Sequence, residues 1–135
     1  MHLLIIDDQP GVLWSFEQIF TTGEVIVHTA LNGEEGLDLI RKQPMDLVIC
    51  DILMPVMDGI EFARRLRLNL ATAEVPLFFM SGGDPADYEN LVRAYDALGF
   101  LAKPLDVHAM RSLVFSVGNA KKEVSAPQSD STAKK

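Results

Sequence analysis

Three carboxylates, a hydroxyl and an amine each stand directly after a short apolar run. Asp7 and Asp8 follow Leu3–Ile6, Asp51 follows Leu47–Cys50, Ser81 follows Val75–Met80, and Lys103 follows Gly99–Ala102. Carboxylates that converge repel one another, and at neutral pH they call for a cation. Ligation by oxygen with retained water suits Mg²⁺ better than a softer metal. An ion held this way can offset the charge of a phosphoryl oxygen. Lys103 would bring a second, movable positive charge, Ser81 a hydrogen-bond donor, and Asp51 a nucleophile able to attack phosphorus. Phosphoryl transfer asks mainly for positioning and charge stabilisation, which this set can supply. Taken singly, each residue has an ordinary explanation as a helix cap or a solvated side chain. Five of them in order, at the ends of four apolar runs, point instead to one site.

The runs that position these residues read as buried strands, being short and rich in Val and Ile: Leu3–Ile6, Val25–Ala30, Leu47–Cys50, Val75–Met80 and Gly99–Ala102. Amphipathic helical stretches lie between them. The first opens near Pro10 and turns Val12, Leu13, Phe16, Ile19 and Phe20 to one side. The second starts at Asn32 with Glu35 three residues on, a capping-box pair, and carries Leu37 and Ile40 inward. The third repeats the pair as Asp58 and Glu61, with Ala63, Leu66 and Leu70 inward. A fourth begins at Asp84-Pro85, and a fifth follows Asp106 with Met110, Leu113, Val114 and Val117. Strict alternation of strand and helix predicts a five-stranded parallel α/β sheet, helices on both faces, joined by right-handed crossovers. Ligands of such sheets bind beyond the carboxyl ends of the strands, where the five polar residues fall.

Composition fits a soluble domain, with 48% hydrophobic and 23% charged residues in a chain of 135. A formal net charge of −7 disfavours long-range attraction to nucleic acid or anionic membrane, so neither is expected as a direct partner. The single cysteine, Cys50, excludes an internal disulfide and reads as a buried strand residue. The N-terminal segment lacks the features of a signal peptide, and no apolar stretch has the length of a membrane span, so a cytoplasmic location is expected. Residues 1–118 read as one domain. From Asn119 to Lys135 the chain turns to Ser, Ala and Lys, which predicts a flexible tail or linker.

With these residues in view, the chain resembles the receiver domains of two-component response regulators over about residues 2 to 118. Ile5-Ile6-Asp7-Asp8 is similar to the family's first strand and acidic pair. Asp51-Ile52-Leu53-Met54-Pro55-Val56-Met57-Asp58-Gly59 resembles the segment around its phosphorylated aspartate. Ser81-Gly82 and Lys103-Pro104 resemble its hydroxyl and lysine positions. The resemblance implies a flavodoxin-like (βα)5 sandwich of strand order 2-1-3-4-5 and a cis Lys103–Pro104 bond. It implies Mg²⁺ bound by Asp8, Asp51 and the Leu53 backbone carbonyl, with Asp7 acting through water. Asp51 would accept a phosphoryl group from a histidine kinase or histidine phosphotransfer protein. Ser81 would then shift toward that group and Phe100 turn inward, changing the face of the fourth helix, fifth strand and fifth helix for a downstream protein. Catalysis would be limited to the domain's own phosphorylation and dephosphorylation. Neither Leu53 nor Gly83, two residues beyond Asp51 and Ser81, can orient an attacking water, so slow self-dephosphorylation is expected. Phe100 lacks a hydroxyl, so a tyrosine-type hydrogen bond from that position is excluded.

Other residues read more plainly. His2, His28 and His108 are scattered, with none paired at metal-ligand spacing. Trp14 reads as packed, with contact to a docked kinase as the alternative. Tyr88 and Tyr95, on the fourth helix, could face a partner. Two other functions compete with the phosphorelay reading. One is a degenerate receiver that binds a partner without phosphorylation. The other is a haloacid-dehalogenase-type phosphatase, which would place its nucleophile after the first strand with a second Asp two residues on; here Asp7 is followed by Asp8, Gln9 and Pro10.

Overall fold

Five strands form one parallel sheet in the order β2-β1-β3-β4-β5. In this computed structural model the backbone of residues 1–21 and 23–125 is described, with side chains as far as residue 120. The elements run β1 (His2–Ile6), α1 (Pro10–Ile19), β2 (Ile26–Ala30), α2 (Gly33–Lys42), β3 (Leu47–Asp51) and α3 (Gly59–Leu68). They continue through β4 (Leu77–Ser81), a 3₁₀ turn (Pro85–Tyr88) leading into α4 (Glu89–Ala94), β5 (Gly99–Ala102) and α5 (Val107–Ser125).

Successive strand residues point to opposite faces, so continuous apolar runs feed two cores at once. Leu4, Ile6, Val48, Cys50, Leu77 and Phe79 pack with Ile40 of α2 and with Phe62, Ala63 and Leu66 of α3. Leu3, Ile5, Leu47, Ile49 and Met80 pack on the other face, with Leu13 and Phe16 of α1 and with Met110 and Val114 of α5. Each large side chain so buried stabilises the fold by roughly 1.5–3 kcal/mol relative to exposure.

The caps behave as their residue types dictate. Asn32 accepts from the Glu35 amide at 3.0 Å, and Glu35 Oε1 in turn accepts from the Leu31 amide. Asp58 accepts from the Glu61 amide at 2.9 Å, which starts α3 at Gly59. Here the box is half made, because the Glu61 carboxylate turns to Arg64 and Arg65. Asp84 accepts from the Ala86 amide, but Pro85–Tyr88 is a tight 3₁₀ turn, and α4 proper begins only at Glu89.

Several expectations need correction. Leu70, predicted to face inward, is 96% exposed, because α3 stops at Leu68 and Asn69 takes an extended backbone. Trp14, read as packed, is 61% exposed, since α1 buries Leu13 and Phe16 instead. Val75 lies ahead of β4; Pro76 has no N–H to give the sheet, though its carbonyl accepts from the Val48 amide. Helix α5 continues through Ser125, so residues 119–125 of the expected tail have helical backbone; residues 126–135 of that reading lie outside the described residues. His2 and His28, scattered in the sequence, meet across neighbouring strands. The register sets His2 against Ile26 and Leu4 against His28, which makes the two histidines diagonal neighbours, with Nδ1 of one 3.0 Å from Nε2 of the other.

Candidate functional site

The strand register delivers the polar residues to one rim. β1 and β3 pair as far as Ile6 and Cys50, so Asp7 and Asp51 emerge side by side at the carboxyl end. One carboxylate oxygen from each of Asp7, Asp8 and Asp51 lies within 4.8 Å of the others. Asp7 is fully buried, Asp51 nearly so, and Asp8 is exposed, giving the cluster one open side. Lys103 reaches in from the end of β5, with Nζ 2.7 Å from Asp7 Oδ2 and 3.4 Å from Asp51 Oδ2. The same ammonium donates to Gln9 Oε1 at 3.2 Å. Gln9 was not singled out by sequence reasoning, although its place directly after the acidic pair was a signal.

Burial, then the neighbouring Asp7 charge, pushes the Asp51 carboxyl above its ordinary value; Lys103 and the Ile52 amide pull it only partly back. Burial alone would lower the Lys103 ammonium, but Asp7 and Asp51 outweigh it and hold it above its usual range. Asp7 Oδ1 accepts from the Gln9 amide at 2.9 Å. Its buried Oδ2 receives no well-aligned hydrogen bond among the described residues, and the ammonium beside it compensates through charge. A buried carboxylate oxygen left this way, in a cluster with excess negative charge, is a fitting ligand environment for a hard divalent cation.

The loop after Asp51 is tightly held. The Gly59 amide donates to the Ile52 carbonyl at 2.9 Å, and a Cβ at Gly59 would stand 2.2 Å from the Asp51 carbonyl oxygen. Only glycine permits that approach, which presses the start of α3 against the end of β3. Leu53 has an exposed side chain, and Val56 sits at φ 68°, a left-handed conformation that a β-branched residue rarely adopts.

Ser81 ends β4, one residue beyond Met80, the register partner of Asp51. Its carbonyl accepts from the Lys103 amide at 2.8 Å, and the Lys103–Pro104 bond is cis. Among the described residues no hydrogen bond joins the Ser81 hydroxyl to the carboxylates; Tyr88 Oη lies 3.4 Å from it, and the Gly83 amide donates to it at 3.4 Å. Phe100 stacks on the Tyr88 ring, centroids 5.0 Å apart at 16°. Tyr88 thus belongs beside the site rather than on an outward face. The spacing of Gly83 and Tyr88 after Ser81 was the available signal. Cys50 is buried, as expected, and burial, with Asp51 next, pushes its thiol well above the usual range.

The response regulator receiver domain family model matches residues 3–115. This chain belongs to that family. The chain is 31% identical over 126 residues to the probable C4-dicarboxylate response regulator DctR of Bacillus subtilis, covering 92% of this chain and 55% of that one. It is 30% identical over 112 residues to sporulation initiation phosphotransferase F of the same organism, covering 83% of this chain and 89% of that one. Against some relatives, such as the first, the receiver domain therefore spans only about half their length. Among solved structures, chemotaxis protein CheY4 of Vibrio cholerae superposes with a TM-score of 0.79 at 25% identity, covering 86% of this chain and 97% of that one. The flavodoxin-like architecture expected from the sequence is the one observed, and the phosphatase alternative finds no favour among these relatives. Among the described residues, no helix is long and apolar enough to cross a membrane.

Proposed function

We propose that this receiver domain accepts a phosphoryl group on Asp51 from the phosphohistidine of a histidine kinase or phosphotransfer protein, and that the modification switches its binding to a downstream protein. The observation that carries this reading is the convergence of Asp7, Asp8 and Asp51 within 4.8 Å, with Lys103 Nζ 3.4 Å from Asp51. Asp8, Asp51 and the Leu53 carbonyl would hold Mg²⁺, with Asp7 acting through water. When bound, the ion supplies charge neutralisation for a phosphoryl oxygen. A carboxylate oxygen of Asp51 attacks phosphorus, an O–P bond forms, and the N–P bond of the donor breaks with its electron pair returning to the imidazole. Lys103 moves from Asp7 toward a second phosphoryl oxygen. Ser81 rotates to donate to a third, and Phe100 turns inward behind it.

The added charge then reshapes the face formed by α4, β5 and α5 for a partner protein. Exposed Trp14 on α1 offers the donor protein a contact. Leu53 and Gly83 place no polar side chain near an attacking water, so the acyl phosphate should be long-lived without a phosphatase. Catalysis extends to this self-modification alone, and the location that suits such partners is the cytoplasm. Acetyl phosphate or phosphoramidate with Mg²⁺ should add the mass of one phosphoryl group to the native chain and none to Asp51→Asn. Absence of any gain from either donor would favour a receiver that binds partners without phosphorylation.

A further inference from the structure

Phosphorylation of Asp51 would move Ser81 and Phe100 together, yet Phe100 has no hydroxyl with which to follow Ser81. Tyr88 touches both. Its hydroxyl lies 3.4 Å from Ser81 Oγ, and its ring stacks on Phe100 with centroids 5.0 Å apart. The space it occupies is one that a side chain at position 83 would fill: a Cβ on Gly83 would stand 2.7 Å from Tyr88 Oη and 2.9 Å from Cε2. The glycine two residues past Ser81 therefore admits the phenol to the rim of the site.

A half-buried phenol keeps its hydroxyl engaged, and it can both donate and accept. At 3.4 Å the Tyr88–Ser81 hydrogen bond is long and readily exchanged. A phosphoryl oxygen would offer Ser81 a charge-assisted and stronger acceptor. The two partners compete for one hydroxyl. Once Ser81 leaves, the Tyr88 ring loses its polar anchor and can carry Phe100 with it. A groove whose lining includes Ala86, Val92, Gly99 and Phe100 adjoins Phe100.

We propose that Tyr88 is a positioning residue that holds the Ser81 hydroxyl in its unphosphorylated orientation and relays its departure to Phe100. This inference rests on the phosphoryl-acceptor reading of Asp51. The test uses the full chain with Mg²⁺ and beryllofluoride as a phosphoryl mimic, with affinity read from backbone amide shifts in an NMR titration. Tyr88→Phe keeps the ring and the stack while removing the competing hydroxyl. Its affinity should rise roughly 2- to 5-fold, the fold-change one weak neutral hydrogen bond represents. The ring signals of Phe100 should move toward their beryllofluoride-bound positions before any ligand is added. In a Ser81→Ala background, Tyr88→Phe should have no effect on affinity, because its target is gone; a merely structural role would persist there. Equal affinities of the native chain and Tyr88→Phe, or an undiminished effect in Ser81→Ala, would overturn the proposal. If the native chain itself fails to bind beryllofluoride, the Asp51 reading falls, and this relay falls with it.

Discussion

The two ends of the sheet each seat a cation among oxygens, in opposite ways. At the amino end, Arg67 of α3 donates to four backbone carbonyls: Tyr95 and Val75 at 2.7 Å, Ala73 at 3.0 Å and Asp96 at 3.2 Å. Burial lowers its pKa, partly offset by Asp96, yet a guanidinium remains charged. At the carboxyl end, Lys103 faces Asp7, Asp51 and Gln9, all side chains. Carbonyls of a folded backbone neither titrate nor move, so Arg67 is a brace that ties α3 to the approach to β4 and to the segment between α4 and β5. Carboxylates can bind metal, be modified and release their cation. If the carboxyl end is the switch proposed above, what separates it from the strut is the mobility of the oxygens rather than the presence of the charge.

That contrast can be broken from either end. Lys103→Met should slow phosphoryl gain from acetyl phosphate by roughly 10²-fold, the usual loss on removing one stabilising donor; an unchanged rate by mass spectrometry would make Lys103 a brace as well. Arg67→Met should cost about 2 kcal/mol in denaturant unfolding, because several carbonyls lose a charged donor. The rate of phosphorylation per folded molecule should stay as in the native chain. Within the site, Val56→Asn should stabilise the fold by about 1 kcal/mol, because Asn tolerates the left-handed backbone and Val56, 77% exposed, gives up little packing.

The smallest effect concerns His28, whose pKa is lowered by burial and then by the neighbouring His2. A depressed folded-state value means that its contribution to stability is complete above the ordinary 6.5 and is lost as pH falls through the folded value. His28→Gln should therefore flatten the decline of Tm between neutrality and about pH 5. An equal decline in both chains would remove the histidine pair from the account.

How much of this was legible in the sequence differs by residue. Asp7, Asp51, Ser81 and Lys103 were readable because a parallel sheet sends every strand end to the same rim, so local pattern implies convergence. Helix starts at Asn32 and Asp58 were readable because a cap is a local contact. Leu70 misled because hydrophobic spacing continues past the residue where the helix stops. The His2–His28 pair depends on the register of two strands joined only through α1. Arg67 was not singled out, because nothing local marks the distant carbonyls it meets. Tyr88 required knowing that a 3₁₀ turn, rather than a regular helix, folds its ring back over Gly83.

The 2.8 Å bond from the Lys103 amide to the Ser81 carbonyl has a mechanical implication. It fastens β4 to β5 at their tips, so these neighbours cannot slide or splay without tearing the ladder. On the proposed phosphoryl-acceptor reading, a message leaving the acidic rim toward this edge would be written first in torsions of individual side chains, with the strand tips held together. The domain would then behave less like a hinge than like a keyboard, its keys tilting while the board beneath stays fixed.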